Sequence, residues 1–319
     1  DYCGTSKECL IDPSILAERF SVVLDAYKID ADGKPLVEWL RADWGLFTHP
    51  LMTDNARAKE LLSDILNDGE YVRKSFVLAT ELDSDPVADW ESFREELMHR
   101  NRYFPLSQIN WDRVASLLSA LTFPPDELPK NWRRARVQMD ERKFAPKEML
   151  APPVRSSANG RANPPGIRYL YVASDPQTAV SEIRPHKGAL VSVAQIKLSP
   201  EPALIDLRHP RRSISPLSLL NFLTDEVDAC RLRLEIALLE RLGEELSHPV
   251  LDHVAAFEYT PSQYLCEFIK RCGFDGVIYR SALHENGMNL ALFKPEIASA
   301  TLVKTYTVTD VAVHSQLVL

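Results

Sequence analysis

Residues 160–185 read GRANPPGIRYLYVASDPQTAVSEIRP and combine a turn-rich loop, a short strand and a capped helix. The prolines make the loop rigid, and its glycines allow close backbone approach. Residues 167–173 are rich in aromatic and β-branched side chains, which predicts a strand. Asp175 followed by Pro176 predicts the start of a helix over 176–184. This stretch therefore predicts an α+β domain in which a helix packs on a sheet.

Three side chains at these intervals could take part in chemistry. Arg161 offers a fork of donors that suits a phosphate or carboxylate, although a surface arginine in a turn would look the same. Tyr171 lies on the strand, where it either stacks on a ligand ring or fills the core. Glu182 follows apolar helix positions that should face the sheet, so it lies near the rim of the core as a cleft carboxylate or as an exposed ion-pair partner.

Downstream of residue 132, short β-rich runs alternate with a few helices. The predicted strands are 167–173, 190–198, 203–207, 275–281, 288–293 and 301–308, and the predicted helices are 176–184, 216–243 and 261–272. The strands are too scattered for a regular βαβ winding, which favours the α+β class. Ser281 ends one strand and Asn289 enters the next, where their polar groups orient a ligand or cap a loop.

The front of the chain has a different texture. Residues 12–122 predict helix after helix, and no strand is predicted before residue 132. Three prolines within 123–129 halt helices and mark a domain edge. We therefore predict an all-α domain over 1–125 and an α+β domain over 126–319.

Composition narrows the function classes. The chain has 319 residues, is 45% hydrophobic and 26% charged, and carries a net charge of −8, so a general electrostatic grip on nucleic acid or on an anionic membrane is not expected. No apolar run is long enough to span a bilayer, and the five cysteines form no dense framework, so we expect a cytoplasmic protein. Cys3 and Cys9 are too few for a closed zinc site without further ligands, so no metal is expected.

Several motifs together resemble the RES-domain family, which is named for its Arg, Glu and Ser and is known for toxins that consume NAD. They are, in order, WRRARV at 132–137, MLAPPV at 149–154, the 160–185 stretch, LIDL at 204–207, GFDGVIYRS at 273–281 and GMNLALF at 287–293. The agreement of several motifs in one order is more specific than any single motif. The resemblance covers roughly residues 132–298 and implies a split sheet similar to that of ADP-ribosyltransferase toxins.

The resemblance also implies roles for individual residues. The family's catalytic positions fall on Arg161, Tyr171, Glu182 and Ser281, and its binding positions fall on Arg136, Arg161, Tyr171 and Asn289. NAD would then be the substrate rather than a cofactor. Glu182 would stabilise the positive charge that develops on the ribose, the arginines would hold the pyrophosphate, and Tyr171 would stack beside the nicotinamide.

The sequence also allows other functions. The helical front resembles a HEPN-type domain, and Arg94 and His99 have the spacing of a ribonuclease motif in that fold. The chain could instead transfer ADP-ribose to a protein, or bind a nucleotide without turning it over. A second copy of the chain and an antitoxin or regulatory protein are the expected partners.

Overall fold

The computed structural model describes residues 11–80, 82, 85–140, 142–214, 226–251, 253–284 and 286–312. The helices are α1 Ala17–Leu24, α2 Leu36–Trp44, α3 Asn55–Leu66, α4 Pro86–His99, α5 Trp111–Leu118, α6 Pro176–Glu182, α7 Pro210–Ser213, α8 Glu226–Ser247, α9 Ala255–Glu258 and α10 Thr260–Arg271. The strands are β1 Tyr27–Pro35, β2 Ser75–Leu78, β3 Trp132–Val137, β4 Leu170–Ala173, β5 Leu190–Leu198, β6 Leu204–Asp206, β7 Gly276–Arg280, β8 Met288–Leu292 and β9 Ala298–Thr307.

Seven strands form one large sheet in the order β6-β7-β8-β4-β3-β5-β9. All neighbours pair antiparallel except β6 and β7, which run parallel. Strand β8, which comes late in the sequence, therefore lies between β7 and the earlier strand β4. The predicted mixture of helix and sheet is confirmed, and each of the six predicted strands is present with bounds shifted by at most three residues.

The sheet carries apolar side chains on both faces. One buried cluster includes Trp132, Leu170 and Leu290, and a second, smaller cluster includes Ala173 and Val193. Helix α6 packs against the second cluster through its apolar side, as its sequence predicts, with the side chains Ala179, Val180 and Ile183. This packing fixes the face of α6 that turns away from the sheet, and Glu182 lies at the end of that helix.

The prediction that no strand precedes residue 132 is wrong, so the described front of the chain is not all-α. Strands β1 and β2 form a separate antiparallel pair with an irregular register between Ile29 and Lys34. Strand β1 is largely exposed and polar, so its sequence lacks the apolar alternation by which a strand is predicted. The pair is held by the buried Phe76, and a side chain at Gly33 would collide with the backbone of Phe76, so only glycine permits this approach.

By compactness the chain forms two units, neither of them continuous in sequence. Unit 1 comprises residues 1–93, 107–109 and 209–241, and unit 2 comprises residues 94–106, 110–208 and 242–319. The large sheet lies wholly in unit 2. The units follow spatial contacts rather than chain order, and the division into domains 1–125 and 126–319 stays a prediction. Within the described ranges, no helix combines the length and apolar character needed to cross a bilayer.

Candidate active site

Helix α6 begins at a strong cap and ends at Glu182. The Asp175 carboxylate accepts hydrogen bonds from the Thr178 backbone N–H at 2.9 Å and from the Thr178 hydroxyl at 2.5 Å. Pro176 occupies the first turn, where its missing N–H costs nothing. Burial alone would raise the pKa of Asp175, but the hydrogen bonds from Thr178 and Ser174 outweigh it and lower the pKa. The cap therefore stays ionised at neutral pH. It fixes the start of α6 and hence the position of Glu182 at the end of that helix.

The Glu182 carboxylate is held by two side chains, one from the turn after β7 and one from β8. Its Oε1 atom accepts a hydrogen bond from Ser281 Oγ at 2.6 Å and another from Asn289 Nδ2 at 2.7 Å. Asn289 is only 4% exposed, so its amide is a fixed donor. Both bonds involve an ionised acceptor and are therefore strong. One carboxylate oxygen is thus immobilised, and Glu182 itself is exposed toward solvent.

The turn after β7 orients the Ser281 hydroxyl. Its oxygen accepts hydrogen bonds from the backbone N–H groups of Leu283 at 3.2 Å and His284 at 3.1 Å. A hydroxyl has one proton and two lone pairs, so these two bonds leave the proton directed at Glu182. Gly287 closes the turn by accepting from the Ser281 N–H, and a side chain there would collide with Thr178. Ser281 is therefore a fully satisfied positioning group for the carboxylate.

The loop that carries Arg161 is fastened to the sheet by Tyr171. The Tyr171 hydroxyl donates to Asn163 Oδ1 at 2.7 Å and accepts from the Ala162 N–H at 2.9 Å. Burial raises the pKa of Tyr171 far above its ordinary value, so the hydroxyl remains a donor. A Cβ atom on Gly160 would lie 2.5 Å from Asn163 Oδ1 and 2.7 Å from the Tyr171 hydroxyl, so glycine is required there.

Helix α10 and the chain before it hold the same loop from another direction. Ser262 Oγ donates to the Arg161 carbonyl at 2.6 Å, and Gln263 Nε2 donates to the Gly160 carbonyl at 2.8 Å. The Arg161 guanidinium donates to the His248 carbonyl at 2.5 Å and lies 5.3 Å from the centre of the Tyr259 ring. Arg161 is therefore fixed at both its backbone and its guanidinium, which makes it a preorganised cation.

These elements enclose a cleft of about 510 Å³ in unit 2. The residues that line it are Arg133, Arg134, Ala135, Arg161, Tyr171, Val172, Ala173, Ala179, Glu182, Ile183, Arg184, Pro249, Tyr259, Tyr279, Ala282, Leu283 and Asn289. A volume of this size accommodates a molecule as large as a dinucleotide in part or a drug-sized ligand in full. The lining combines four arginines with one carboxylate. It therefore suits an anionic ligand in which one group becomes positively charged during a reaction.

Arg134 is one of three cleft arginines, with Arg133 and Arg184, that the sequence analysis did not assign to the site. Its Nη1 atom donates to the Tyr171 carbonyl at 3.1 Å, and its buried Nε atom has no hydrogen-bond partner among the described residues. Burial, and then the neighbouring charge of Arg136, lower the pKa of Arg134 to about 10, which leaves it cationic at neutral pH. A buried cation with a spare donor is an anchor for an anion.

The structure brings most of the predicted site residues together. Arg161, Tyr171, Glu182 and Asn289 line the cleft, and Ser281 is bonded to Glu182. Arg136 does not line it.

The side chain of Arg136 is exposed, donates to the Glu148 carbonyl at 2.7 Å and lies 4.4 Å from the Phe144 ring centre. The motif WRRARV contains three arginines, and only the packing around β3 shows which of them line the cleft. Tyr259 was also missed, because an aromatic residue immediately before a helix carries no signal of its own.

Arg94 and His99, the pair with nuclease spacing, lie on helix α4. The Arg94 guanidinium is engaged by the carboxylates of Glu245 and Glu258, and His99 is half exposed at 4.0 Å from Glu95. Three acidic side chains, those of Glu95, Glu245 and Glu258, contact the pair, an environment that repels phosphate. The ribonuclease hypothesis remains a prediction, as does zinc binding by Cys3 and Cys9, which lie outside the described residues.

Comparison with known proteins decides the family. The family model described as RES domain matches residues 130–311. The chain belongs to the RES domain family. The matched region begins just before β3 and extends past β9, so the RES domain includes the whole large sheet and every residue of the cleft. A HEPN-type domain at the front of this RES protein stays a prediction.

Among solved structures, a similar one is the MbcT–MbcA toxin–antitoxin complex from M. tuberculosis. The two chains are 13% identical, the alignment covers 61% of this chain and 92% of that chain, and the TM-score is 0.35. A TM-score this low supports no transfer of fold detail or function to this RES protein. No curated protein matches the chain significantly.

Proposed function

We propose that this RES protein breaks the bond between nicotinamide and ribose in NAD. The observation that carries the proposal is the Glu182 carboxylate, which Ser281 and Asn289 fix at the edge of a cleft that also contains Arg134 and Arg161. Membership of the RES family supports it, because the resemblance described above implies NAD consumption.

The charges of the cleft match those of NAD. The pyrophosphate of NAD is dianionic, and planar guanidinium groups such as those of Arg134 and Arg161 suit phosphate oxygens. The nicotinamide ring is cationic, and three tyrosines, a residue type whose ring face attracts cations, are among the residues that line the cleft. In this proposal, the single carboxylate stabilises the positive charge that develops on the ribose.

The reaction needs little covalent help from the protein. As the carbon–nitrogen bond breaks, nicotinamide leaves with the bonding electron pair as a neutral molecule, and the ribose becomes an oxocarbenium ion. Fixed negative charge on Glu182 stabilises that ion more than it stabilises bound NAD, because the carboxylate is already oriented. Attack by water gives ADP-ribose and releases one proton, whereas attack by phosphate gives a phosphorylated ADP-ribose.

Ser281 and Asn289 act in this scheme by orienting the carboxylate. Both donate to the same oxygen, so the second oxygen of Glu182 is left to face the ribose. The acceptor is water, phosphate or a protein side chain, and the last would make the protein an ADP-ribosyltransferase. Depletion of NAD is toxic to a cell, so the activity requires restraint, and we propose an antitoxin or regulatory protein as a partner.

The test is NAD consumption by the purified protein, with and without added phosphate, with the products identified by mass. Glu182→Gln keeps the shape of the side chain and removes its charge, so kcat should fall by about 10²- to 10³-fold while KM changes little. Glu267→Gln, on an exposed position of α10, is the matched control and should retain full activity.

Each result has a distinct meaning. ADP-ribose as product identifies a hydrolase, and a phosphorylated ADP-ribose identifies a phosphorylase. Full turnover by Glu182→Gln contradicts the role given to the carboxylate. NAD that binds stoichiometrically and stays intact in every sample supports a binding module instead.

A further inference from the structure

Arg94 lies between two carboxylates that are both far from it in sequence. Its Nε atom is 3.2 Å from Glu245 Oε2, and its Nη2 atom is 2.9 Å from Glu258 Oε2. The side chain of Arg94 is 17% exposed and that of Glu245 is 6% exposed. These are therefore largely buried pairs, which solvent and salt screen much less than surface pairs.

The two carboxylates are associated with one stretch of chain, residues 248–259, which we name the wall segment and which the structure describes apart from residue 252. Glu245 lies three residues before its start, and Glu258 lies one residue before its end. A third contact is made by His99, whose ring centre is 5.4 Å from that of Phe257. The C-terminal half of helix α4 therefore contacts the end of the wall segment, and it contacts helix α8 just before the start of that segment.

The wall segment in turn contacts the guanidinium of Arg161. The His248 carbonyl accepts its hydrogen bond, and the Tyr259 ring lies beneath it. Pro249 and Tyr259 also line the cleft. The position of the wall segment thus determines where the charge of Arg161 points.

We propose that Arg94 is a positioning residue for the cleft: it fixes the wall segment and, through His248 and Tyr259, the guanidinium of Arg161. The rigid planar fork of an arginine presents separate, fixed donors to the two carboxylates, whereas a lysine offers a single flexible ammonium group. Without Arg94, the buried charge of Glu245 and the partly buried charge of Glu258 lose their shared cation, and the end of the wall segment is no longer tied to the end of α8. The effect on catalysis rests on the function proposed above, whereas the effect on the wall segment does not.

The experiment compares Arg94→Ala with Arg142→Ala in the full-length protein. Arg142 makes a two-bond pair with Glu148 at 3.0 and 3.1 Å on an exposed surface outside the cleft, so it controls for the loss of an arginine and an ion pair. Arg94→Ala should raise KM for NAD about 10-fold or more and leave kcat within about threefold, because Arg161 binds substrate and transition state alike. Arg142→Ala should change neither.

Hydrogen exchange provides a readout that does not depend on activity. Amides of residues 245–251 and 253–259 should exchange faster in Arg94→Ala than in the parent or in Arg142→Ala, while amides of the sheet should not change. Equal exchange in all three proteins would overturn the proposal, whether or not the protein consumes NAD. If the parent leaves NAD intact yet the wall segment loosens, the proposed function fails and the positioning role of Arg94 stands.

A milder variant guards against misfolding. Glu258→Gln retains the size of the side chain and removes the charge by which Arg94 holds the end of the wall segment. Its effect on KM should be in the same direction, and the double variant with Arg94→Ala should be no worse than Arg94→Ala alone, because both act through one contact. Fully additive effects, or a fall in kcat at constant KM, would refute the assignment.

Discussion

Replacing Tyr171 by phenylalanine separates two roles for the cleft tyrosine. If the ring acts by stacking on the nicotinamide, Tyr171→Phe retains it. If the hydroxyl acts by holding the Arg161 loop, the variant loses two hydrogen bonds, to Asn163 at 2.7 Å and from Ala162 at 2.9 Å. The structure favours the second role, because the hydroxyl is fully engaged in the loop.

The magnitude follows from the groups left behind. Asn163 is 3% exposed and Ala162 is fully buried, so both would keep an unsatisfied polar group away from water. Each such group costs about 1–3 kcal/mol, which gives about 2–6 kcal/mol for the pair. For a unit of this size, that loss lowers Tm by at least about 4 °C, and the freed loop should raise KM for NAD about 10-fold.

Thermal unfolding followed by circular dichroism and NAD kinetics measure the two effects. Tyr169→Phe is the matched control: Tyr169 is 2% exposed, and its hydroxyl has no hydrogen-bond partner within the described chain, so its removal should cost nothing. A Tyr171→Phe protein with the Tm and KM of the parent would refute the loop-holding role and return Tyr171 to stacking.

Two further predictions concern the supports of the site. Gly160→Ala places a methyl group against Asn163, so it should destabilise the protein by about 1–3 kcal/mol and raise KM for NAD, as measured by unfolding and kinetics. Asp175→Ala removes the cap of α6, so it should cost about 1 kcal/mol at pH 7 and lower kcat. Because the pKa of Asp175 is lowered by folding, its stabilisation is present above the ordinary value of 3.8 and is lost as pH falls below it, so unfolding curves of parent and variant should converge in acid.

Much of the RES domain could be predicted from sequence, because its signals are local. The cap at Asp175, the apolar side of α6 and the β-rich runs each lie within a few residues, and the resulting elements agree with the structure. Glu182 at the rim of the core followed from the same local pattern.

The parts that failed depend on packing or on polar strands. Arg134 and Arg136 are two residues apart on β3, and only the burial of Arg134 against the Tyr171 backbone shows which one faces the cleft. Strand β1 pairs through its backbone with few apolar side chains, so no periodicity reveals it. The contacts of Arg94 join residues about 150 positions apart, a distance over which a single sequence carries no signal.

The order of strands in the large sheet also governs when this protein could become active during its own synthesis. Strand β4, which carries Tyr171, pairs with β8, and Glu182 takes hydrogen bonds from residues 281 and 289. A nascent chain that has emerged only as far as β7 has its arginines and its glutamate but lacks β8, one of the two strands that pair with β4, and lacks Asn289 to orient the carboxylate. On the proposed function, the ribosome therefore releases a chain that acquires activity only after residues 288–292 have folded into the middle of the sheet. That delay gives a binding partner time to engage the earlier surfaces before any NAD is consumed.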